Sequence, residues 1–320
     1  CKVRLSGPQR SLEFTEELTR HLSRETRHSS LSSYDTPFTA EISLAWDVEP
    51  VASPTSTNSL ITPSTLETHI WAEYRVIPCE TPKLPDEHTY KNLSIPRGHV
   101  YIFNNTFHSD PKNIRPGADF DSVNLKYIFE KMGYKVYINR DLSREETFKK
   151  VDEIQKEKEL EKVDSFIMVI LSHGKDDKIF YANDMELIHI DDIRYTFVDG
   201  NCPQLRGKPK IFMCNYCRGD IEQKHLQTDA PQNNPGNEAP SDMITLHASI
   251  DGFMAKRDAT KGTIFVQALC ETLSKHAHNT EFSQIYHILS NIMKEKLGTT
   301  PELQNYLFKN FHFNPIPVNN

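Results

Sequence analysis

Two apolar runs, each ending abruptly in residues able to do chemistry, constrain this chain more than any other feature. The first, Phe166-Ile167-Met168-Val169-Ile170-Leu171, stops at Ser172-His173-Gly174; the second, Ile211-Phe212-Met213-Cys214, stops at Asn215-Tyr216-Cys217-Arg218-Gly219-Asp220. A run without polar alternation, bounded by turn formers, suits a strand buried on both faces of a parallel sheet. Such strands deliver ligands and reactive groups at their C-terminal edge. If the two are neighbours, His173 and Cys217 emerge side by side although they are far apart in sequence. A thiol with an ordinary pKa of about 8.5 is mostly protonated at neutral pH. A reactive cysteine therefore needs an imidazole or a dipole beside it. Gly174, without a side chain, would let a backbone amide approach a substrate carbonyl and, with the amide of Cys217, stabilise an oxyanion. Together these residues point to a hydrolase.

Strand and helix signals alternate around the two runs. His99 to Phe103 reads as a first buried strand, followed by a polar loop, Asn104 to Gly117, that holds Arg115. Phe120, Val123, Tyr127 and Ile128 recur at helical spacing, with Gly133 as the stop. Tyr134 to Ile138 alternates as a second strand, and Ser143-Arg144-Glu145-Glu146 is a capping box opening a helix with Phe148, Val151 and Ile154 on one face. A helix near Asp191 to Phe197 then leads through Gly207-Lys208-Pro209 to the second run. Residues 221 to 241 break the order with Gln, Asn, Pro and acidic residues. A structureless stretch of that length inside a domain is functional or a linker. Beyond it, Met243 to Ala248 is expected as a strand and Gly252 to Gly262 as a loop carrying Lys256 and Arg257. Helices around Ile264–Leu269 and Phe282–Ile292 follow, and Tyr306 to Phe313 reads as a final aromatic strand. The alternation predicts an α/β fold, a parallel sheet covered on both faces and joined by right-handed crossovers.

The amino-terminal part reads differently. Phe14, Leu18 and Leu22 sit at helical spacing after Gly7-Pro8. One amphipathic helix cannot bury its own stripe, so residues 1 to 28 are expected to be the tail of a helical bundle, a partial all-α segment, with a free amphipathic tail as the alternative. From residue 29 to about 89 Ser, Thr and Pro dominate, the composition of a disordered linker. A hydrophobic content of 37% and a mean hydropathy of -0.57 agree with a chain that is only partly packed. The net charge of -7, with both signs interspersed, leaves no basic stripe for phosphates and excludes nucleic acid as a partner. No stretch is long and apolar enough to span a membrane. Six scattered cysteines form no disulfide framework and fit a reducing, cytoplasmic compartment. Cys214 and Cys217 form a C-x-x-C, which a thioredoxin-like pair or half a zinc site could use, with Cys202 and His225 completing the set. That reading leaves His173-Gly174 unexplained.

Residues 90 to 313 resemble the caspase family, cysteine endopeptidases that cleave after aspartate. The likeness rests on Pro96-Arg97-Gly98, Ile114-Arg115-Pro116-Gly117-Ala118-Asp119, Ser172-His173-Gly174, Cys217-Arg218-Gly219, and Gly252 through Arg257 to Phe265-Val266-Gln267, in that order. Residues 1 to 28 resemble the last helices of a caspase recruitment domain. With the long linker, the chain is similar to the apoptotic initiators of the insect Dronc-like group.

The resemblance implies a three-layer sandwich with a mostly parallel six-stranded sheet, a large subunit over residues 90 to 229, and a small one over 230 to 320. It implies that Cys217 is the nucleophile, His173 the general acid and base, and Gly174 with Cys217 the oxyanion amides. A backbone carbonyl near Asn113 would orient His173. Arg115 and Arg257 would hold the substrate aspartate, a role that suits guanidinium forks. Asn215 stands where the family has Gln, one methylene longer, so the strictness of Asp over Glu is open; Ala255 and Lys256 replace the commoner Ser and Trp beside Arg257. Asp229, Asp242 and Asp86 are the candidate processing sites. No metal or cofactor is implied. The implied partners are protein substrates with an acidic residue at the cleavage site, a second copy paired through the final aromatic strand, an apoptosome-type adaptor bound through the recruitment domain, and inhibitor-of-apoptosis proteins that would meet Ala230-Pro231. The rival class is a catalytically silent homologue serving as scaffold or regulator, against which the joint retention of His173, Cys217, Arg115 and Arg257 argues.

Overall fold

The computed structural model describes residues 74–176, 178–218, 239–250 and 257–316. In chain order its elements are β1 (Gly98–Asn104), α1 (Ala118–Lys131), β2 (Lys135–Arg140), α2 (Arg144–Gln155), β3 (Ser165–Leu171), β4 (Ile179–Tyr181), β5 (Leu187–His189), α3 (Ile190–Thr196), β6 (Lys210–Asn215), β7 (Met243–His247), β8 (Arg257–Asp258), β9 (Gly262–Thr263), α4 (Ile264–His276), α5 (Phe282–Leu297) and β10 (Glu302–Tyr306). Six strands form one sheet in the order β10-β7-β6-β3-β1-β2. Every pairing in it is parallel except β10 with β7.

Helices cover both faces, and the sheet residues divide accordingly. Val100, Ile102, Ile167, Val169, Leu171, Ile211 and Met213 pack against the buried sides of α1, α4 and α5. Tyr101, Phe103, Phe166, Met168, Ile170, Phe212 and Cys214 pack against α2 and α3. Because β1, β3 and β6 are buried on both sides, each reads as an unbroken apolar run. Each fully buried large side chain contributes about 1.5–3 kcal/mol, so this three-layer packing is the main source of stability.

The helix signals act where the sequence puts them. Ser143 accepts from the amide of Glu146, whose side chain reaches back to the Ser143 amide. Gly133 follows α1 with a left-handed φ of 93°, which its missing Cβ permits. Thr263 caps α4 by accepting from Val266 N.

The structure differs from these expectations at three points and adds one element. The final strand is Glu302–Tyr306 rather than Tyr306 to Phe313. Leu307 takes a φ of 52° and turns the chain out of extended geometry. Phe311 and Phe313 are buried, and Phe308, Phe311 and Phe313 cluster around Phe282 of α5. They are aromatic because they fill the core. The true strand is polar because it lies at the sheet's edge. Second, the linker does not extend to residue 89. Tyr74 and Cys79 are buried, Ile77 N donates to Ser274 O, Cys79 N to Pro315 O, and Tyr90 N to Asn310 O. This Pro-rich arm lacks an apolar period because it is held by scattered backbone hydrogen bonds. Third, the loop expected to end at Gly262 includes a two-strand ladder, β8 with β9, pairing Arg257 with Thr263. Fourth, an unforeseen hairpin, β4 with β5, separates β3 from α3; three-residue strands are too short to show a period. The expected helical segment at residues 1 to 28 lies outside the described residues.

Candidate active site

Register decides what meets at the sheet's C-terminal edge. In the parallel β3–β6 pair Leu171 stands opposite Asn215, and Ser172 N donates to Asn215 O at 3.2 Å. The chains therefore leave the sheet level with one another, and His173 and Cys217 follow at the same offset. Their main chains touch beyond that point: a Cβ built on Gly174 would lie 1.9 Å from the carbonyl oxygen of Cys217. Only glycine lets the two turns approach this closely. Cys217 is half-buried, the one cysteine of the five described that is not fully enclosed.

His173 is oriented from behind. Its Nε2 donates to the carbonyl oxygen of Asn113 at 2.7 Å. A carbonyl can only accept, so the proton of the neutral ring sits on Nε2, and Nδ1 is the basic nitrogen. The ring also lies against Phe107, centroids 5.1 Å apart. Asn113 is itself held: its side chain donates to Asp110 Oδ2 at 2.6 Å and its amide to Asp110 O at 3.0 Å. Tyr181 N donates to His173 O, so the β4–β5 hairpin steadies the His173 main chain.

Arg115 is buried at the same edge. Its Nη1 donates to Asn104 Oδ1 (3.2 Å) and to the carbonyl oxygens of Asn105 (2.6 Å) and Leu171 (3.1 Å), at the ends of β1 and β3. Its loop presses on the β8–β9 hairpin, since a Cβ on Gly117 would lie 2.7 Å from Asp258 O. The hairpin begins with Arg257. The structure thus brings His173, Gly174, Cys217 and Arg115 to one rim, with the backbone of Arg257 in a hairpin packed against the Arg115 loop. A basic imidazole nitrogen, a thiol and a buried guanidinium at one rim are groups able to attack and hydrolyse an acyl group.

A caspase-domain family model matches residues 97–312. The chain belongs to the caspase family. It is 29% identical over 244 residues to caspase-2 of Gallus gallus, covering 69% of this chain and 57% of that protein. It is 33% identical over 201 residues to caspase-3 of Bos taurus, covering 61% and 71% respectively. It is 24% identical over 254 residues to caspase Dronc of Drosophila melanogaster, covering 71% and 56%. The chain therefore spans a little over half the length of the first and last of these relatives.

Within this caspase domain Asn215 does not behave as a free pocket residue. It is buried, and its Nδ2 donates to Thr263 Oγ1 at 2.8 Å. Thr263 is tied in turn to Asp121, whose Oδ1 accepts from Thr263 N at 2.7 Å and Thr263 Oγ1 at 3.1 Å. Asp121, Asp110 and Thr263 belong to the frame of the site as well. Only Thr263 left a signal in the sequence, as a residue able to cap the helix that follows.

The face beneath α3 carries buried polar groups. Arg218 Nη1 donates to Glu302 Oε2 at 2.6 Å and to Ser249 O at 3.0 Å, so the residue after Cys217 is tied to the edge strand. Arg194 bonds Thr245, Gln304 and Asp191. Burial, then the charges of Arg218 and Arg194, push the pKa of His247 down to about 3. Burial pushes the Cys214 thiol up to about 12. Cys214 and Cys202 both lie in the core under α2 and α3, so Cys214 packs rather than pairing with Cys217 in chemistry. His225 lies outside the described residues.

The candidate processing sites also separate. Asp229 lies outside the described residues, as do Lys256 and the side chain of Arg257. Asp242 is half-buried at φ 54°, with its Oδ1 accepting from Tyr90 OH at 2.7 Å and its carbonyl oxygen from Lys210 N. Asp86 opens a tight turn closed by Thr89. A protease binds its substrate extended, so both positions are poor scissile sites in this conformation. No helix among the described residues is long and apolar enough to cross a membrane.

Proposed function

We propose that this caspase-family chain is a cysteine endopeptidase that cleaves peptide bonds after aspartate and acts as an initiator-type zymogen in cell death. The observation that carries the reading is the common exit of His173 and Cys217 from the registered β3–β6 pair, with Gly174 against the Cys217 carbonyl. In the proposed reaction His173 Nδ1 takes the thiol proton of Cys217, and the sulfur attacks the carbonyl carbon of the acidic residue. The amides of Gly174 and Cys217 stabilise the oxyanion. The imidazolium returns the proton to the leaving amine as the C–N bond breaks, and water hydrolyses the thioester. Arg115 and Arg257 hold the acidic side chain.

Cleavage at Asp229 would separate large and small subunits, the segment before residue 29 would recruit an apoptosome-type adaptor, and a second copy would pair along β10, whose sheet partner is β7. An exposed edge strand is a template for such pairing.

The full chain is to be assayed on acyl-tetrapeptide fluorogenic substrates ending in Asp, Glu, Asn and Ala, with Cys217→Ala as control. Hydrolysis after Asp that vanishes in the control is expected. A folded, dimerised protein without activity would overturn the reading in favour of a silent scaffold.

A further inference from the structure

We infer that Asp121 is a positioning residue for recognition of the substrate's acidic side chain: its buried carboxylate fixes the hairpin that begins at Arg257 relative to the loop that carries Arg115. The inference rests on the proposed roles of those two arginines.

Asp121 lies in the first turn of α1, just past the Arg115 loop, and is fully buried. Its Oδ1 takes both the N–H and the O–H of Thr263, at 2.7 and 3.1 Å. The Thr263 hydroxyl gives its one proton to Asp121 and accepts from Asn215 Nδ2 at 2.8 Å and Val266 N at 3.3 Å. Its capacity is then used in full. One threonine joins three pieces of chain: the helix after Arg115, the strand end before Cys217, and the start of α4. Thr263 is also the residue opposite Arg257 in the β8–β9 ladder. A ladder this short has no stability of its own, so the place of Arg257 is set by what holds Thr263.

Close approach makes the arrangement sensitive to side-chain length at position 121. A Cβ on Gly262 would lie 2.3 Å from Asp121 Oδ1, and one on Gly117 2.7 Å from Asp258 O. The hairpin is thus clamped between α1 and the Arg115 loop without side chains to cushion it. A glutamate at 121 would carry the same charge but push the hairpin outward by a methylene. An asparagine would keep both the length and an acceptor oxygen. Length is the property that the close approach of Gly262 demands.

Binding and turnover are measured separately. In the Cys217→Ala background, calorimetry gives the Kd of a tetrapeptide substrate ending in Asp and of its Glu counterpart. Asp121→Ala and Asp121→Glu are each expected to weaken the Asp peptide roughly tenfold or more, and Asp121→Asn to stay within about twofold of the parent. In the active protein, with rates normalised to titrated active sites, Asp121→Ala is expected to raise KM by a similar factor and leave kcat within about threefold. Hydrogen exchange of the amides of residues 257–263 should quicken at least about tenfold in Asp121→Ala and recover in Asp121→Asn.

A folded Asp121→Ala protein that keeps the parent's Kd and Asp:Glu ratio overturns the inference, as does hairpin exchange unchanged from the parent. Asp121→Glu behaving like the parent while Asp121→Asn fails would assign the effect to charge and overturn it as well. A wild-type chain that binds the Asp peptide but hydrolyses none refutes the peptidase reading alone, and the binding and exchange results still decide the role of Asp121.

Discussion

Replacing Gly174 by alanine adds a single methyl group where the fold has no room for one. The added carbon would sit 1.9 Å from the Cys217 carbonyl oxygen and 2.8 Å from Cδ2 of Tyr216. An unstrained C···O contact is about 3.3 Å, so one of the two turns must retreat by roughly 1.4 Å, the difference between 3.3 and the built 1.9. Gly174 is not in the left-handed region, so alanine is conformationally permitted and the substitution tests proximity rather than backbone strain. The retreat moves either the His173 side or the Cys217 side of the reacting pair. A displacement of about 1 Å costs on the order of a hundredfold; kcat/KM for an Asp-ending peptide is therefore expected to fall at least about a hundredfold, or about 2.7 kcal/mol. Overpacking alone costs about 1–3 kcal/mol of stability, so thermal melting must accompany the kinetics, with rates taken on protein that is folded at the assay temperature. Activity within about threefold of wild type in folded Gly174→Ala would refute the close approach and the catalytic reading built on it.

Asp110→Ala releases the Asn113 side chain whose loop presents the carbonyl to His173; kcat should drop roughly tenfold with KM little changed, as expected for a group that only aligns the base. His247 has its pKa lowered by burial to about 3, below the ordinary value of about 6.5. Its neutral form therefore supports the fold fully above pH 6.5, and that support is lost as the pH falls from there towards 3, by about 2 kcal/mol at pH 5; urea midpoints at pH 7 and pH 5 should show the loss, and His247→Leu should shrink it. His99, lowered to about 4 by burial, acts with the same sign. Deleting residues 1–89 removes the buried Tyr74 and Cys79 and the arm's hydrogen bonds to Ser274 and Pro315; a loss of about 3 kcal/mol, or roughly 6–12 °C in Tm, is expected against a chain starting at residue 74.

What the amino-acid sequence determined alone was local. Unbroken apolar runs mark strands covered on both sides, the Ser143 box and Gly133 mark helix ends, and His173 and Cys217 stand out because each lies within three residues of the end of such a run. These features depend on neighbours within a few residues, so they survive being read one segment at a time. The tertiary structure decided the rest. It placed β3 beside β6 in the register that brings the imidazole and thiol turns together, and it turned Asn215 to Thr263. It showed that the arm from Tyr74 belongs to the domain, and it assigned the sheet edge to polar Glu302–Tyr306 while sending the aromatic residues inward. Asp121 is the clearest case. In sequence it is one of several acidic residues opening a helix, and only folding brings it within 2.7 Å of Thr263. Contacts across long sequence separations have no period and no cap to announce them. They exist only once the sheet has assembled, and in this chain they shape the site.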